Sequence, residues 1–272
     1  MALRIIVGLV GIPIMFFLLY GCDSWGTPLA MTVFSIVSVY ELLSATGFVK
    51  NKGMVLISIL FSALVVPWGY FGSNPTFAYI ALFVFVFLLF AIALLDNKTV
   101  TFEQICGAFF TGLFVPLAFS SVIRIREMNK GDFLVLLPFF ASWFSDTFAY
   151  FTGIFFGKHK LAPAISPKKT IEGSIGGIVG AVAGCMIYAV VCHVWFRYEA
   201  PIAIYGLIAL VGSCISQFGD LSMSFVKRKF GLKDFGKILP GHGGVLDRFD
   251  SVLFAAPAVE IMLTILIAFA VL

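Results

Sequence analysis

Residues 224–250 read SFVKRKFGLKDFGKILPGHGGVLDRFD. Six of the eighteen Lys and Arg residues of the chain fall there: Lys227, Arg228, Lys229, Lys233, Lys237 and Arg248. Asp234, Asp247, Asp250 and the glycine-flanked His242 accompany them. Just upstream, Asp220 stands in SQFGDLSMS. On a helix, Ser216, Asp220 and Ser224 are four apart and form one polar stripe, with Lys227 close to it. Asp247 and Asp250 are three apart and share a face in the same way. Folding back the chain between Asp220 and Asp247 would bring two carboxylates together. Two such groups repel unless a cation lies between them. An oxygen-rich site of this kind suits Mg²⁺, which keeps some of its waters and binds substrate phosphates.

Two stretches have the composition of phosphate cradles. Gly241, Gly243 and Gly244 flank His242 after Pro240. Glycines free the backbone to take positive φ, and successive N–H groups can then curl around an anion. A helix starting near 245 would add its dipole. The second stretch, 157–177, reads GKHKLAPAISPKKTIEGSIGG. Here Ser166, Lys168, Lys169 and Thr170 cluster before an apolar segment. Together these parts point to phosphoryl or nucleotidyl transfer, which needs cationic groups on the phosphates and an in-line approach. The plainer alternatives are ion pairs for the acids and anionic lipid for the lysines.

These residues lie in a strongly apolar chain. It is 61% hydrophobic and 12% charged, with a mean hydropathy of +1.06. Soluble domains carry roughly 25% charged residues, so a water-soluble globule is excluded. A spanning helix needs about 20 mainly apolar residues. On that measure the sequence predicts an all-α, polytopic membrane bundle of about nine spans: 3–21, 28–48, 54–71, 76–95, 102–122, 133–155, 172–195, 202–223 and 251–271. The whole chain, 1–272, reads as one membrane domain. Its N-terminal helices cover 1–122, and its catalytic helices, with polar loops 156–171 and 224–250, cover 133–272. The net charge is +4, and no nucleic-acid partner is expected. Cys22, Cys106, Cys185, Cys192 and Cys214 form no CxxC pair. Cys22 follows a stretch that reads as a first spanning helix rather than a removed signal.

Charge asymmetry gives an orientation. With nine spans, only Arg124, Arg126, Lys130 and Arg197 fall on one side; every other Lys and Arg falls on the side of the N-terminus. That side is predicted to be cytoplasmic, and both polar loops lie on it. Ionisable groups inside spans cost on the order of 2.5–3.5 kcal/mol each. Asp146 shares a helical stripe with Ser142 and Tyr150 and is expected to face the site. Glu41, in VYELL, is expected to serve packing or a lipid headgroup. Gly173/Gly177 and Gly176/Gly180/Gly184 repeat every four residues, as close helix packing in lipid requires. Packing within the bundle is the first expectation, and a dimer seam the second.

Several motifs resemble those of one family. Ser224-x-x-Lys227-Arg228, Lys233-Asp234-x-Gly236, Pro240-Gly241-His242-Gly243-Gly244 and Asp247-Arg248-x-Asp250 are similar to the C-terminal motif of the phosphatidate cytidylyltransferases, or CDP-diacylglycerol synthases. SDTFAYFTG and SPKKTIEGSIGG resemble the same family upstream. The resemblance covers about 140–256, and among the first five spans only Tyr40-Glu41 stands out. It implies transfer of the cytidylyl group of CTP to phosphatidate, giving CDP-diacylglycerol and pyrophosphate in phospholipid biosynthesis. It also implies a multispanning homodimer of a bacterial-type inner membrane, requiring Mg²⁺ and a second, monovalent cation, K⁺. On this resemblance Asp220 and Asp247 carry the metal. Lys227, His242, Arg248 and Asp250 join them as catalytic candidates. Ser224, Lys233, Gly243, Gly244, Lys168, Lys169 and Asp146 are the substrate-binding candidates. Other readings are a CTP-dependent kinase of a polyprenol or similar lipid alcohol, a proton-coupled transporter, and a structural membrane protein. The transporter fits poorly, because the acids gather near one surface and no inverted repeat is visible.

Overall fold

A computed structural model describes residues 13, 15–21, 25–71, 75–199, 201–238, 241 and 243–269. Most of the first expected span, Cys22 and His242 lie outside the described residues. After a short π-helical turn at Phe17–Gly21, the helices are α1 (Gly26–Thr46), α2 (Lys52–Phe71), α3 (Pro75–Leu95), α4 (Phe102–Glu127), α5 (Gly131–Leu134) and α6 (Leu137–Phe156). A hairpin of β1 (Lys160–Ala162) and β2 (Ser166–Thr170) follows. The chain continues through α7 (Ile171–Phe196), α8 (Ile202–Lys229), α9 (Leu246–Phe249) and α10 (Val252–Ala268). Among the described residues six helical segments are long and apolar enough to cross a membrane, and two shorter apolar helices, at Lys52–Trp68 and Val252–Ala268, accompany them.

The described residues form two compact units. One runs up to Glu127 and includes Phe230–Phe249; the other joins Met128–Lys229 to the chain from Asp250 onward. In the first unit α1, α2 and α4 pack together and α3 lies against α2 and α4. Ser35 and Ser62 share a buried hydrogen bond of 2.8 Å between α1 and α2. Phe61 stacks on Phe85 at 4.2 Å. The Asn51 side chain accepts the N–H groups of Gly53 and Met54, at 2.9 and 3.2 Å, and so caps α2.

In the second unit α6 and α7 make the most extensive pairing. Both glycine rows of α7 are used for it. Gly173 and Gly177 lie against the backbone of α6, and a Cβ at Gly176, Gly180 or Gly184 would overlap Thr152, Phe148 or Phe144. The glycines therefore serve packing within the unit, the first of the two expectations. Behind this seam, Gln217 of α8 donates to Ser145 Oγ of α6 at 2.9 Å and to the Ser174 carbonyl of α7 at 3.0 Å. Ser174 Oγ donates back to Gln217 Oε1. Three helices are thus tied by one buried amide. Among the described cysteines, Cys185 and Cys192 are buried, and Cys106 and Cys214 are exposed on their helices.

Three boundaries differ from the sequence expectation. Helix α8 runs to Lys229 rather than ending at 223. No Gly or Pro lies between 223 and Gly231, where φ is +68°, and the buried Lys227 of this stretch pairs with Asp250. Helix α4 runs to Glu127 rather than 122. There Arg124 turns back to Ser120 and Ser121 of its own helix, at 2.7 and 3.1 Å. The stretch expected as loop 156–171 holds an antiparallel hairpin pairing Lys160 with Thr170 and Ala162 with Ser166. Strands this short carry no period-2 signal to read.

Candidate active site

Thr170 builds the second unit's polar centre from the hairpin outward. Its side chain accepts the N–H of Gly173 at 3.1 Å and caps α7. The cap fixes the direction in which β2 leaves the helix and thereby places Lys168 and Lys169. Glu172, in the first turn, holds the hairpin's base. It accepts the backbone N–H groups of Lys158 and His159 at 3.0 and 3.2 Å, and meets His159 Nδ1 at 2.6 Å. At the hairpin's turn, Arg228 Nε of α8 donates to the Ile165 carbonyl at 3.4 Å.

A groove of about 390 Å³ opens beside this hairpin. Asp146, Tyr150, Lys168, Lys169, Gln217 and Asp220 line it, with Ile154 and Leu161 at its apolar part. Lys169 Nζ forms an ion pair with Asp220 Oδ2, and Ser224 Oγ donates to Asp220 Oδ1 at 3.3 Å. One turn further along α8, Lys227 Nζ lies 3.3 Å from Asp250 Oδ2. Burial pushes the Asp250 carboxyl up to about 6, the charge of Asp220 adds to the rise, and Lys227 opposes it. The expected stripe is real in part. Asp220 and Ser224 touch, while Ser216 is buried with no hydrogen-bond partner for its hydroxyl. Asp146 and Tyr150 line the groove, but Ser142 is buried and bonded to the Pro138 carbonyl of its own helix.

The first unit holds the other half of the motif. Asp247 is 6% exposed. Its Oδ2 accepts three backbone N–H groups: Phe235 at 2.8 Å, Gly244 at 3.0 Å and Gly236 at 3.3 Å. Gly243 adopts φ +82°, so its N–H and carbonyl point in directions that side-chain-bearing residues rarely reach. Glu41, buried in α1, accepts Val245 N–H at 3.1 Å and Leu246 N–H at 2.8 Å. The N–H groups of Gly244, at the end of the 241–244 turn read as a phosphate cradle, and of Val245 and Leu246 after it are bonded to the protein's own carboxylates. Lys233 and Arg248 are exposed on this segment.

Glu41 is the residue of this segment that the sequence reading missed. It was expected to serve packing or a headgroup, yet it is 3% exposed and bonded to backbone more than 200 positions away. The available signal was a carboxylate in an apolar span with no Lys or Arg within one helical turn.

Among the described residues no cluster of three or more His, Cys, Asp or Glu side chains could hold a metal. The aspartates nevertheless fit a hard divalent ion as oxygen donors. Asp220 already holds a cation, the Lys169 ammonium. Asp247 commits Oδ2 to three N–H groups.

The groove thus joins the Lys169–Asp220 ion pair to a largely apolar lining. Residues 2–266 match the model of the cytidylyltransferase family, and the chain belongs to that family. It is 36% identical over 227 residues to a phosphatidate cytidylyltransferase of Staphylococcus saprophyticus, covering 84% of this chain and 82% of the relative. The protein of the same name from Bacillus subtilis is 35% identical over 234 residues, covering 84% and 85%. That from Staphylococcus haemolyticus is 34% identical over 227 residues, covering 84% and 82%.

Proposed function

We propose that this chain transfers the cytidylyl group of CTP to phosphatidate. The observation that carries the reading is the groove in which Lys168, Lys169 and Asp220 meet beside Ile154 and Tyr150. Charge for a phosphate and apolar surface for a lipid stand side by side there. The residues' work is positioning and neutralisation. Lys168 and Lys169 draw in the phosphate of the lipid, and Ile154 and Tyr150 border its glycerol end. That phosphomonoester has a second pKa of about 6 and is largely deprotonated at neutral pH, so no strong base is needed. Its oxygen attacks the α-phosphorus of CTP, the bond to the bridging oxygen breaks, and pyrophosphate leaves with the electron pair. Asp146 orients polar groups at the groove wall. Asp220 and Asp247 would hold a divalent cation, taken as Mg²⁺, which neutralises charge on the triphosphate when bound. From α8, Ser224 steadies Asp220 and Lys227 steadies Asp250. Lys233, His242, Gly243 and Arg248 serve the nucleotide side.

The same reading includes nine spans within one membrane domain and a cytoplasmic N-terminus. It places the site on the cytoplasmic face of a bacterial inner membrane, in a homodimer that also uses K⁺. Incubating the detergent-purified protein with α-labelled CTP and phosphatidate, with and without Mg²⁺, tests the chemistry. CDP-diacylglycerol and pyrophosphate are expected in equal amounts and only with the metal. Release of CDP with a newly phosphorylated lipid alcohol would move the chain to the kinases, and absence of any product would overturn the proposal.

A further inference from the structure

We infer that Glu41 is a positioning residue for cytidylyl transfer, locking the backbone of 244–246 and thereby aiming Asp247. The inference rests on the reading of Asp247 as part of the reaction site. Glu41 lies in the apolar helix α1, where a carboxylate costs on the order of 2.5–3.5 kcal/mol to insert. Its partners there are two backbone N–H groups, those of Val245 and Leu246, at 3.1 and 2.8 Å. Each carboxylate oxygen takes one of them. A glutamine could not copy this, because its NH₂ end would face an N–H donor.

The loop is shaped to admit the acid. A Cβ at Gly236 or at Gly244 would overlap the Glu41 carboxylate. Glycine is needed at both positions for space. Asp247 then takes the N–H groups that Glu41 leaves, those of Phe235, Gly236 and Gly244. Five N–H groups of one short segment are shared between two buried acids, and the division falls between Gly244 and Val245. Asp247 follows directly on Leu246, whose N–H is held. Moving Glu41 therefore moves the Asp247 backbone before it moves anything else. A displacement of about 1 Å in a reacting constellation can cost about 100-fold in rate.

The test is steady-state kinetics on Glu41→Gln, with turnover expressed per folded molecule by size-exclusion and thermal-melt controls. The expected result is a kcat lower by about 100-fold, with both KM values within about threefold of wild type. A kcat near wild type, or a loss confined to KM or to the folded fraction, overturns the inference. Should the glutamine variant fail to insert, Glu41→Asp decides. It keeps the charge but shortens the reach, so an intermediate kcat at unchanged KM is expected, and unchanged kcat overturns the inference. Failure of the wild type itself to make CDP-diacylglycerol would fault the functional reading instead.

Discussion

Asp220 and Asp247 are the two aspartates proposed to hold the metal, and the two units hold them by different chemistry. In the second unit Asp220 is paired with the Lys169 ammonium and a serine hydroxyl, and Asp250 with Lys227. These partners are side chains, able to change rotamer and partner, and Asp250 accepts only the adjacent Ser251 N–H, at 2.8 Å, from backbone in addition. In the first unit Asp247 and Glu41 are bonded to backbone N–H groups, which can move only with the chain. The difference separates an exchangeable pair from a fixed one. Acids on lysines can trade partners as anions and cations arrive; acids on backbone define where a segment lies.

The largest effect that would break this comparison is expected from the two aspartates. Asp220→Asn and Asp247→Asn should each lower turnover by about 10²–10³-fold, the range for losing one preorganised charge-stabilising group. Only Asp247→Asn should also lower stability, by about 1–3 kcal/mol, because its three buried N–H groups would face a neutral amide oxygen in place of a carboxylate. Turnover and thermal midpoints measured on the same purified samples decide it. Equal midpoints for the two variants would erase the distinction.

A smaller effect is expected at Lys169. Lys169→Gln should raise the KM for phosphatidate about tenfold, the equivalent of ~1.4 kcal/mol, with little change in thermal midpoint. A large drop in midpoint would make Lys169 a structural clamp like the first unit's contacts.

The smallest effect is expected at Asp250. Its carboxyl is raised from 3.8 to about 6, chiefly by burial. A raised acid favours the folded state while protonated, so its contribution is complete below about pH 4 and is lost as pH rises through 6. The wild type should therefore lose stability over that interval relative to Asp250→Asn, measured as midpoint against pH. Parallel curves would mean that Lys227 compensates the charge fully.

The sequence showed the helical, apolar character plainly, because span length and composition are dictated by the bilayer, while six long apolar segments, against the nine expected, stand among the described residues. The Lys169 and Asp220 ends of the groove were also legible, since charge in an apolar chain is costly enough to stand out. The glycine rows of α7 carried their packing role in their spacing. What escaped was whatever depends on distant partners. Nothing near Glu41 announces a bond to Leu246. The Gln217 tie joins positions on three helices, and neither Ser145 nor Ser174 is unusual alone. Gly244 looked like freedom for the backbone, and it and Gly236 prove to be room for a carboxylate. At the end of the 241–244 cradle the Gly244 N–H serves Asp247, and a list of N–H groups does not say which acceptor each one meets.

The glycine seam between α6 and α7 has a mechanical side. With backbone lying on backbone, the two helices act as one stiff plate. The hairpin is a short cantilever fixed to the edge of that plate by Thr170 and Glu172. Inserting one residue between Glu172 and Gly176 would rotate the hairpin by about 100° relative to the seam. The lysines would swing away from Asp220 without any change in their own sequence. The tolerance of this enzyme to insertions is therefore set at the root of the hairpin rather than at its tip.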